Sequence, residues 1–120
     1  MKKTILIVDD DKNVCKTTAR ALSGKYMTHT ALSGEQALEI IQKENNIDLV
    51  LTDMMMPAMD GIELLGKIRE ISKKTAVIIV SGFYTIDLAL EAVNQGAYAY
   101  LTKPVDVDNL KLSIQSALNF

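Results

Sequence analysis

Charged and hydroxyl side chains follow the ends of four short apolar runs in this sequence. Asp9 and Asp10 follow one run, Asp53 another, Ser81 a third and Lys103 a fourth. Carboxylates held close together repel and raise one another's pKa unless a cation offsets their charge. Carboxylate oxygens with open coordination positions suit Mg²⁺, which keeps waters or phosphate oxygens among its ligands. If the fold brings these residues together, the pattern predicts a Mg²⁺ site prepared for a phosphate group.

Each of these residue types would have its own role in phosphate chemistry. Asp53 could act as a carboxylate nucleophile and form an acyl phosphate. Lys103 would neutralise a phosphoryl oxygen as a point charge, and the Ser81 hydroxyl would hydrogen-bond to another. Aspartate after a strand is also a common helix cap, and for Asp11 we favour a cap or a solvated position. Capping does not account for the joint occurrence of the other residues.

The elements that must position these residues are five apolar, β-branched runs that alternate with five amphipathic helical patterns. Strict alternation predicts parallel strands joined by right-handed crossovers, with helices on both faces. We predict an α/β fold, a three-layer α/β/α domain whose five-stranded parallel sheet has the flavodoxin-like order 2-1-3-4-5. The least apolar strand, the second, should lie at an edge. The predicted strands are Thr4 to Val8, Met27 to Ala31, Leu49 to Thr52, Val77 to Val80 and Ala97 to Leu101.

Capping signals delimit the five predicted helices. Two helices begin with a capping box, and two end before a glycine placed to adopt the left-handed conformation. The third helix should turn its apolar residues, Ile71 included, toward the core. The signals are Gly24 after the first helix, Ser33 with Gln36 at the second, Asp60 with Glu63 at the third, Thr85 and Gly96 around the fourth, and Asp106 at the fifth.

Length and composition predict one ordinary domain over residues 1–120. The apolar runs are too short for a membrane span or a signal peptide, so we expect a cytoplasmic location and no membrane partner. The formal net charge is −2 and the basic residues are scattered, so we expect no direct contact with nucleic acid. The single cysteine, Cys15, lies in an apolar helical stripe and should be buried.

In order and spacing, these residues resemble the receiver domains of two-component response regulators. The resemblance covers essentially the whole chain and implies that Asp53 is the phosphoryl acceptor. It further implies that Asp10 binds Mg²⁺ directly, that Asp9 acts partly through water, and that the backbone carbonyl of Met55 is another ligand. The matching motifs are Ile7-Val8-Asp9-Asp10, Asp53 to Gly61, Val80-Ser81-Gly82 and Tyr100-Leu101-Thr102-Lys103-Pro104.

The same resemblance implies a switch. Ser81 and Lys103 match the phosphoryl-sensing hydroxyl and the essential lysine, Tyr100 matches an aromatic that turns inward when Ser81 moves, and the Lys103-Pro104 peptide bond is expected to be cis. The fourth helix, fifth strand and fifth helix would form the readout face, which an output domain or a second copy could bind. The protein would then be a phosphorylation-dependent signalling switch rather than a turnover enzyme. Its phosphoryl donor would be a sensor histidine kinase or a histidine phosphotransfer protein.

The resemblance also places two positions that vary within the family beside the expected phosphoryl group, where they bear on its lifetime. Met55 lies two residues past Asp53, and Phe83 lies two residues past Ser81. Both side chains are apolar, so neither can orient an attacking water. We therefore predict slow loss of the phosphoryl group.

Other interpretations of the acidic residues remain open at this point. A Mg²⁺-dependent phosphatase of the haloacid dehalogenase type would use Asp9 as its nucleophile, but Lys12 and Asn13 do not match that family's Thr or Val. A receiver-like module that binds partners without phosphate should lack the acceptor or the lysine. A flavodoxin should have a Ser/Thr-rich loop after the first strand. Tyr100 could also be an ordinary strand aromatic, a role equally open to Tyr98.

Overall fold

The computed structural model describes residues 2–119, in which five parallel strands alternate with five helices. The strands hydrogen-bond in the order β2-β1-β3-β4-β5, which confirms the predicted fold class and topology. The predicted domain limits, Met1 and Phe120, lie outside the described residues. The strands are β1 (Thr4–Val8), β2 (Met27–Ala31), β3 (Leu49–Asp53), β4 (Ala76–Ser81) and β5 (Ala99–Thr102). The helices are α1 (Lys12–Leu22), α2 (Gly34–Glu44), α3 (Gly61–Ile71), α4 (Ile86–Asn94) and α5 (Val107–Leu118).

Two apolar layers enclose the sheet. Because successive strand residues point to opposite faces, Leu6 and Val8 of β1 belong to one layer, whereas Ile5 and Ile7 belong to the other. The first layer includes buried residues of α2, α3 and α4, and the second includes buried residues of α1 and α5. All five residues of β1 are therefore buried, as expected for a parallel strand covered on both faces.

The end of α1 differs from the prediction at Gly24. Within residues 2–119, Gly96 is the one glycine with a positive φ, at 101°, so Gly24 does not adopt the left-handed conformation. The backbone N–H groups of Lys25 and Tyr26 instead both donate to the carbonyl of Leu22. This turn satisfies the last carbonyl of α1 without a left-handed residue.

One of the two predicted capping boxes is complete. At α3, Asp60 accepts from the N–H of Glu63, and the Glu63 side chain accepts from the N–H of Asp60. At α2, Ser33 accepts from the N–H of Gln36, but the Gln36 side chain accepts from Leu32 instead. At α2, therefore, only the first half of the predicted capping box is present.

Strand β5 starts later than predicted because the N–H of Ala97 is used elsewhere. It donates to the carbonyl of Ala92 and closes the end of α4, so the strand begins at Ala99.

Ile71, the last residue of α3, is 44% exposed. The prediction that it faces the core is therefore wrong. No helix within residues 2–119 has the length and apolar character that a bilayer span requires.

Candidate functional site

The carboxyl ends of the strands bring the predicted residues to one edge of the sheet. Asp53 and Ser81 are the last residues of β3 and β4, Asp9 follows β1 directly, and Lys103 follows β5. The parallel register places neighbouring strand ends side by side, with Asp53 opposite Val80. The edge lies where the strand order reverses between β1 and β3, the usual ligand position in such sheets.

Three carboxylates and one ammonium group form the centre of this site. Asp9, Asp10 and Asp53 each offer an oxygen within 4.8 Å of the others. The Nζ atom of Lys103 lies 3.3 Å from Oδ2 of Asp9 and 3.4 Å from Oδ1 of Asp53. Three negative charges and one positive charge leave a formal charge of −2 in the cluster. Hard oxygen donors with this excess charge fit Mg²⁺.

The pKa shifts reflect this crowding. Burial raises the pKa of Asp53, the ammonium of Lys103 opposes the rise, and the Asp9 carboxylate adds to it. Burial alone would lower the pKa of Lys103, but the Asp53 and Asp9 carboxylates outweigh it, so the pKa is raised and Lys103 stays protonated. A divalent cation at the cluster would favour the ionised form of Asp53.

Backbone N–H groups orient the two inner carboxylates. The N–H of Asp11 donates to Oδ1 of Asp9, and the N–H of Met54 donates to Oδ1 of Asp53, each at 2.9 Å. Within residues 2–119, the hydrogen bond and the ion pair of the Asp53 carboxylate both fall on Oδ1. Oδ2 of Asp53 is therefore the oxygen left for a new bond.

Contacts at the start of α1 hold the backbone around Asp9 in place. Asp11 caps the helix, and its side chain accepts from the N–H groups of Asn13 and Val14, as predicted for this residue. Cys15 is buried, also as predicted, and its Sγ donates to the carbonyl of Asp9 at 3.4 Å. Burial raises the pKa of the Cys15 thiol, so it stays protonated and serves as this donor.

Glycine is required where α3 begins. A Cβ on Gly61 would lie 2.6 Å from the carbonyl oxygen of Asp53, so a larger residue would push α3 away from β3. The preceding loop buries Met54 and Met56 in the core, whereas the side chain of Met55 is 60% exposed. Gly61 was predicted only as the end of the Asp53 to Gly61 motif, although its position directly after the cap Asp60 was a usable signal for this close approach.

The two residues expected to switch meet on the backbone of Phe83. Ser81 is fully buried, and its Oγ accepts from the N–H of Phe83 at 2.9 Å. The hydroxyl of Tyr100 donates to the carbonyl of Phe83 at 2.6 Å, and its ring packs edge-on against Tyr84. Tyr98 instead directs its hydroxyl to Ser116. The role of the Phe83 backbone was missed, although a serine that binds the N–H two residues on is a known turn signal.

Lys103 is tied to the end of β4 through its backbone. Its N–H donates to the carbonyl of Ser81 at 2.8 Å, and the Lys103-Pro104 peptide bond is cis.

Beside the acidic cluster, a cavity of about 490 Å³ opens between α1 and the chain that leads into α5. Apolar side chains such as Val14, Val105 and Leu110 line most of it, and it reaches Asp53. The cavity therefore gives access to the acidic cluster at Asp53.

The strand order and the acidic edge define a flavodoxin-like α/β domain. Within that class, the chain belongs to the response regulator receiver domain family, whose model matches residues 5–115. It is thus a receiver of a two-component system, in which the domain works as a phosphorylation switch. The phosphatase alternative finds no support in the comparisons.

Individual relatives agree with this assignment. The chain is 42% identical over 116 residues to the regulatory protein AtoC of Escherichia coli strain K12, covering 95% of this chain and 25% of AtoC. A receiver domain protein from Clostridium thermocellum superposes with a TM-score of 0.92 at 35% identity, covering 98% of this chain and 94% of the other. The BeF3-activated DrrB receiver domain superposes with a TM-score of 0.89 at 29% identity, covering 100% of both chains. The chain spans about a quarter of the length of the curated relatives it matches.

Proposed function

We propose that Asp53 accepts a phosphoryl group from a phosphohistidine and that Asp9, Asp10, Asp53 and the carbonyl of Met55 hold Mg²⁺ for this transfer. The convergence of the three carboxylates, two of which pair with Lys103, carries the proposal. Receiver domains bind Mg²⁺ at such an acidic cluster. The role of the Met55 carbonyl rests on the family resemblance alone.

The transfer exchanges one bond to phosphorus for another. Oδ2 of Asp53 attacks phosphorus and forms the acyl phosphate, while the P–N bond of the donor breaks and its electron pair stays on the imidazole nitrogen. Bound Mg²⁺ would offset the negative charge of the carboxylates and the phosphoryl oxygens. Met54 keeps Asp53 oriented through its N–H bond to Oδ1, which leaves Oδ2 directed to the donor.

Lys103 and Ser81 would respond to the product. Formation of the acyl phosphate removes the negative charge of the Asp53 carboxylate and adds up to about two negative charges on the phosphoryl oxygens. The ammonium of Lys103, 3.4 Å from Oδ1 of Asp53, then pairs with a phosphoryl oxygen instead. The Ser81 hydroxyl donates to another, which changes its bond to Phe83 and so reaches Tyr100.

A readout face is part of the proposal. The apolar side chains of Ile86, Leu90 and Val93 on α4 are exposed, as are Tyr98 before β5 and Leu112 on α5. An exposed apolar face of this extent supports the docking of an output domain or of a second copy. We also propose that this domain is a switch rather than a turnover enzyme, that it works in the cytoplasm, and that it does not itself contact nucleic acid. The last point concerns this domain alone, since relatives such as ZraR are named transcriptional regulatory proteins.

The proposal is tested by the mass of the protein after incubation with Mg²⁺ and acetyl phosphate. We expect a mass increase of one phosphoryl group that requires Mg²⁺ and is absent in Asp53→Asn. Asp108→Asn replaces an exposed aspartate outside the site and should be modified like the wild type. An adduct that persists in Asp53→Asn, or that moves to Asp9, would overturn the proposal.

A further inference from the structure

Helix α4 is the least buried helix beside the switch residues. Ala92 is its one fully buried side chain, and Leu88 is partly buried against the core. Ile86, Leu90 and Val93 are all more than half exposed, with Ile86 at 68%. Apolar burial alone therefore holds α4 weakly, and its position depends on what fixes each end.

The C-terminal end of α4 is closed by backbone hydrogen bonds. The N–H of Ala97 donates to the carbonyl of Ala92 at 2.9 Å, and the N–H of Gly96 donates to that of Val93 at 3.0 Å. With Gly96 at φ 101°, this is the Schellman arrangement, in which a left-handed glycine ends the helix. Ala97 is buried, so this end is also anchored in the core.

Arg69 joins this closed end to helix α3. One guanidinium nitrogen donates to the carbonyl of Ser72 at 3.0 Å, and the other donates to the carbonyl of Gly96 at 3.1 Å. The same side chain thus binds carbonyl groups just beyond the ends of α3 and α4. A Cβ added to Gly96 would lie 2.8 Å from Nε of Arg69, so the guanidinium packs directly on this glycine.

The guanidinium has no carboxylate partner within residues 2–119, where the recorded ion pairs all belong to Lys103. Its hydrogen bonds run to backbone carbonyls, where the negative ends of two helix dipoles favour a cation. The planar fork of arginine can serve both carbonyls at once, which the single ammonium of lysine cannot do equally well.

The N-terminal end of α4 is held differently. The loop before it is bound through Phe83, whose N–H donates to Ser81 and whose carbonyl accepts from Tyr100. Both partners are side-chain hydroxyls, and Ser81 is the residue assigned above to the phosphoryl group. The hydrogen bonds that hold this end therefore depend on whether the site is phosphorylated, whereas the hydrogen bonds of Arg69 do not.

We propose that Arg69 is a positioning residue that fixes the C-terminal end of α4 to α3, so that phosphorylation moves the N-terminal end of α4 about a pivot at Gly96. The movement rests on the proposed function of Asp53 and Ser81, whereas the fixed end rests on the Arg69 contacts themselves. Because the C-terminal end of α4 stays fixed, the helix tilts and its exposed apolar face tilts with it. The whole helix is not released.

Amide chemical shifts, recorded with and without Mg²⁺ and beryllofluoride, test the pivot. In the wild type, we expect large changes at residues 82–90 and small ones at 92–97 and 69–72. In Arg69→Gln, the changes should spread to residues 92–97, and Arg69→Lys should lie between the two. Gly96→Ala displaces the guanidinium and also strains the left-handed cap, so it should spread the changes to residues 92–97 at least as much as Arg69→Gln. Gly24→Ala is the matched control, because a Cβ there meets nothing within 4 Å.

The contact of Arg69 with the carbonyl of Gly96, which we call the clamp, is tested separately. The test is hydrogen exchange of the protein without phosphoryl group or beryllofluoride. We expect the amides of Gly96 and Ala97 to exchange about tenfold faster in Arg69→Gln, as loss of one hydrogen bond predicts. Unchanged exchange in both Arg69→Gln and Gly96→Ala would overturn the clamp. Wild-type shift changes as large at residues 92–97 as at 82–90 would overturn the pivot. Absence of any beryllofluoride response, with exchange altered as expected, would count against the proposed function and leave the clamp standing.

Discussion

Lys103 Nζ lies 3.4 Å from Oδ1 of Asp53, although Asp53 ends β3 and Lys103 follows β5. The Lys103 side chain is 35% exposed, so its ammonium is partly desolvated yet free to change partners. This geometry joins Asp53 to the chain after β5 by an ion pair. Removal of either partner should therefore alter both phosphorylation and the response to it.

Replacement of Lys103 should slow phosphorylation of Asp53. In Lys103→Ala, the negative charge that develops on the phosphoryl group loses its positioned cation, and we expect the rate with acetyl phosphate to fall about 100-fold. The rate is measured from intact mass over time at saturating Mg²⁺. Lys67→Ala removes an exposed lysine of α3 and is the control. A rate in Lys103→Ala equal to that of the control would contradict the assigned role.

Asp53→Asn should stabilise the metal-free protein. Because burial raises the pKa of Asp53, its folded form prefers the proton, and this contribution to stability is present below pH 3.8 and lost as the pH rises through the raised pKa. At neutral pH the ionised carboxylate therefore costs stability, and the amide removes that cost. We expect a rise in unfolding free energy of under about 1 kcal/mol, since the group is partly solvated.

Mg²⁺ should reverse this order of stability. A cation that binds only the folded protein stabilises the wild type by mass action, and Asp53→Asn loses most of this gain. Thermal unfolding of both proteins across a Mg²⁺ titration measures the effect. Equal Mg²⁺ dependence of the two melting temperatures would show that Asp53 is not a ligand.

The phosphoryl group on Asp53 should be long-lived, and polar residues at two positions should shorten its lifetime. Met55 and Phe83 are apolar and more than half exposed, so replacement costs little stability. A side chain that orients water, as in Met55→Asn or Phe83→Gln, should speed dephosphorylation about tenfold. The decay is followed by intact mass after the phosphodonor is removed. Fast decay in the wild type that persists in Met55→Leu and Phe83→Leu would show that another group activates the water.

Helix α5 offers a direct test of the second apolar layer. Ile114 is fully buried in it, whereas Leu112, two residues away, is exposed. Ile114→Ala should lower the unfolding free energy by about 2–5 kcal/mol, because it removes buried methyl groups and leaves a cavity. Leu112→Ala should change it by under about 0.5 kcal/mol. Denaturant titration of both variants measures the difference. Equal losses of unfolding free energy would show that α5 packs on the sheet through a different face.

The elements and the kind of site could be predicted because they depend on neighbours along the chain. The alternation of apolar runs and helical patterns predicted five parallel strands, and the flavodoxin-like order was the one that best fitted this pattern. Local spacing also determined the caps at Asp11 and Asp60, since a cap needs only the residues that follow it within one turn. The strand ends then determined which carboxylates would meet.

Tertiary structure decided the contacts between residues distant in sequence. Lys103 reaches Asp9 across 94 positions, and Arg69 reaches Gly96 across 27, so both depend on how helices and loops pack. Packing likewise decided that Ser81 and Tyr100 would share the backbone of Phe83. The same applies to Ala97, whose N–H ends a helix rather than joining a strand. A pattern of residue types shows which groups a chain possesses, but only the folded chain decides which partner each donor and acceptor finds, because competing local and distant partners differ by little free energy.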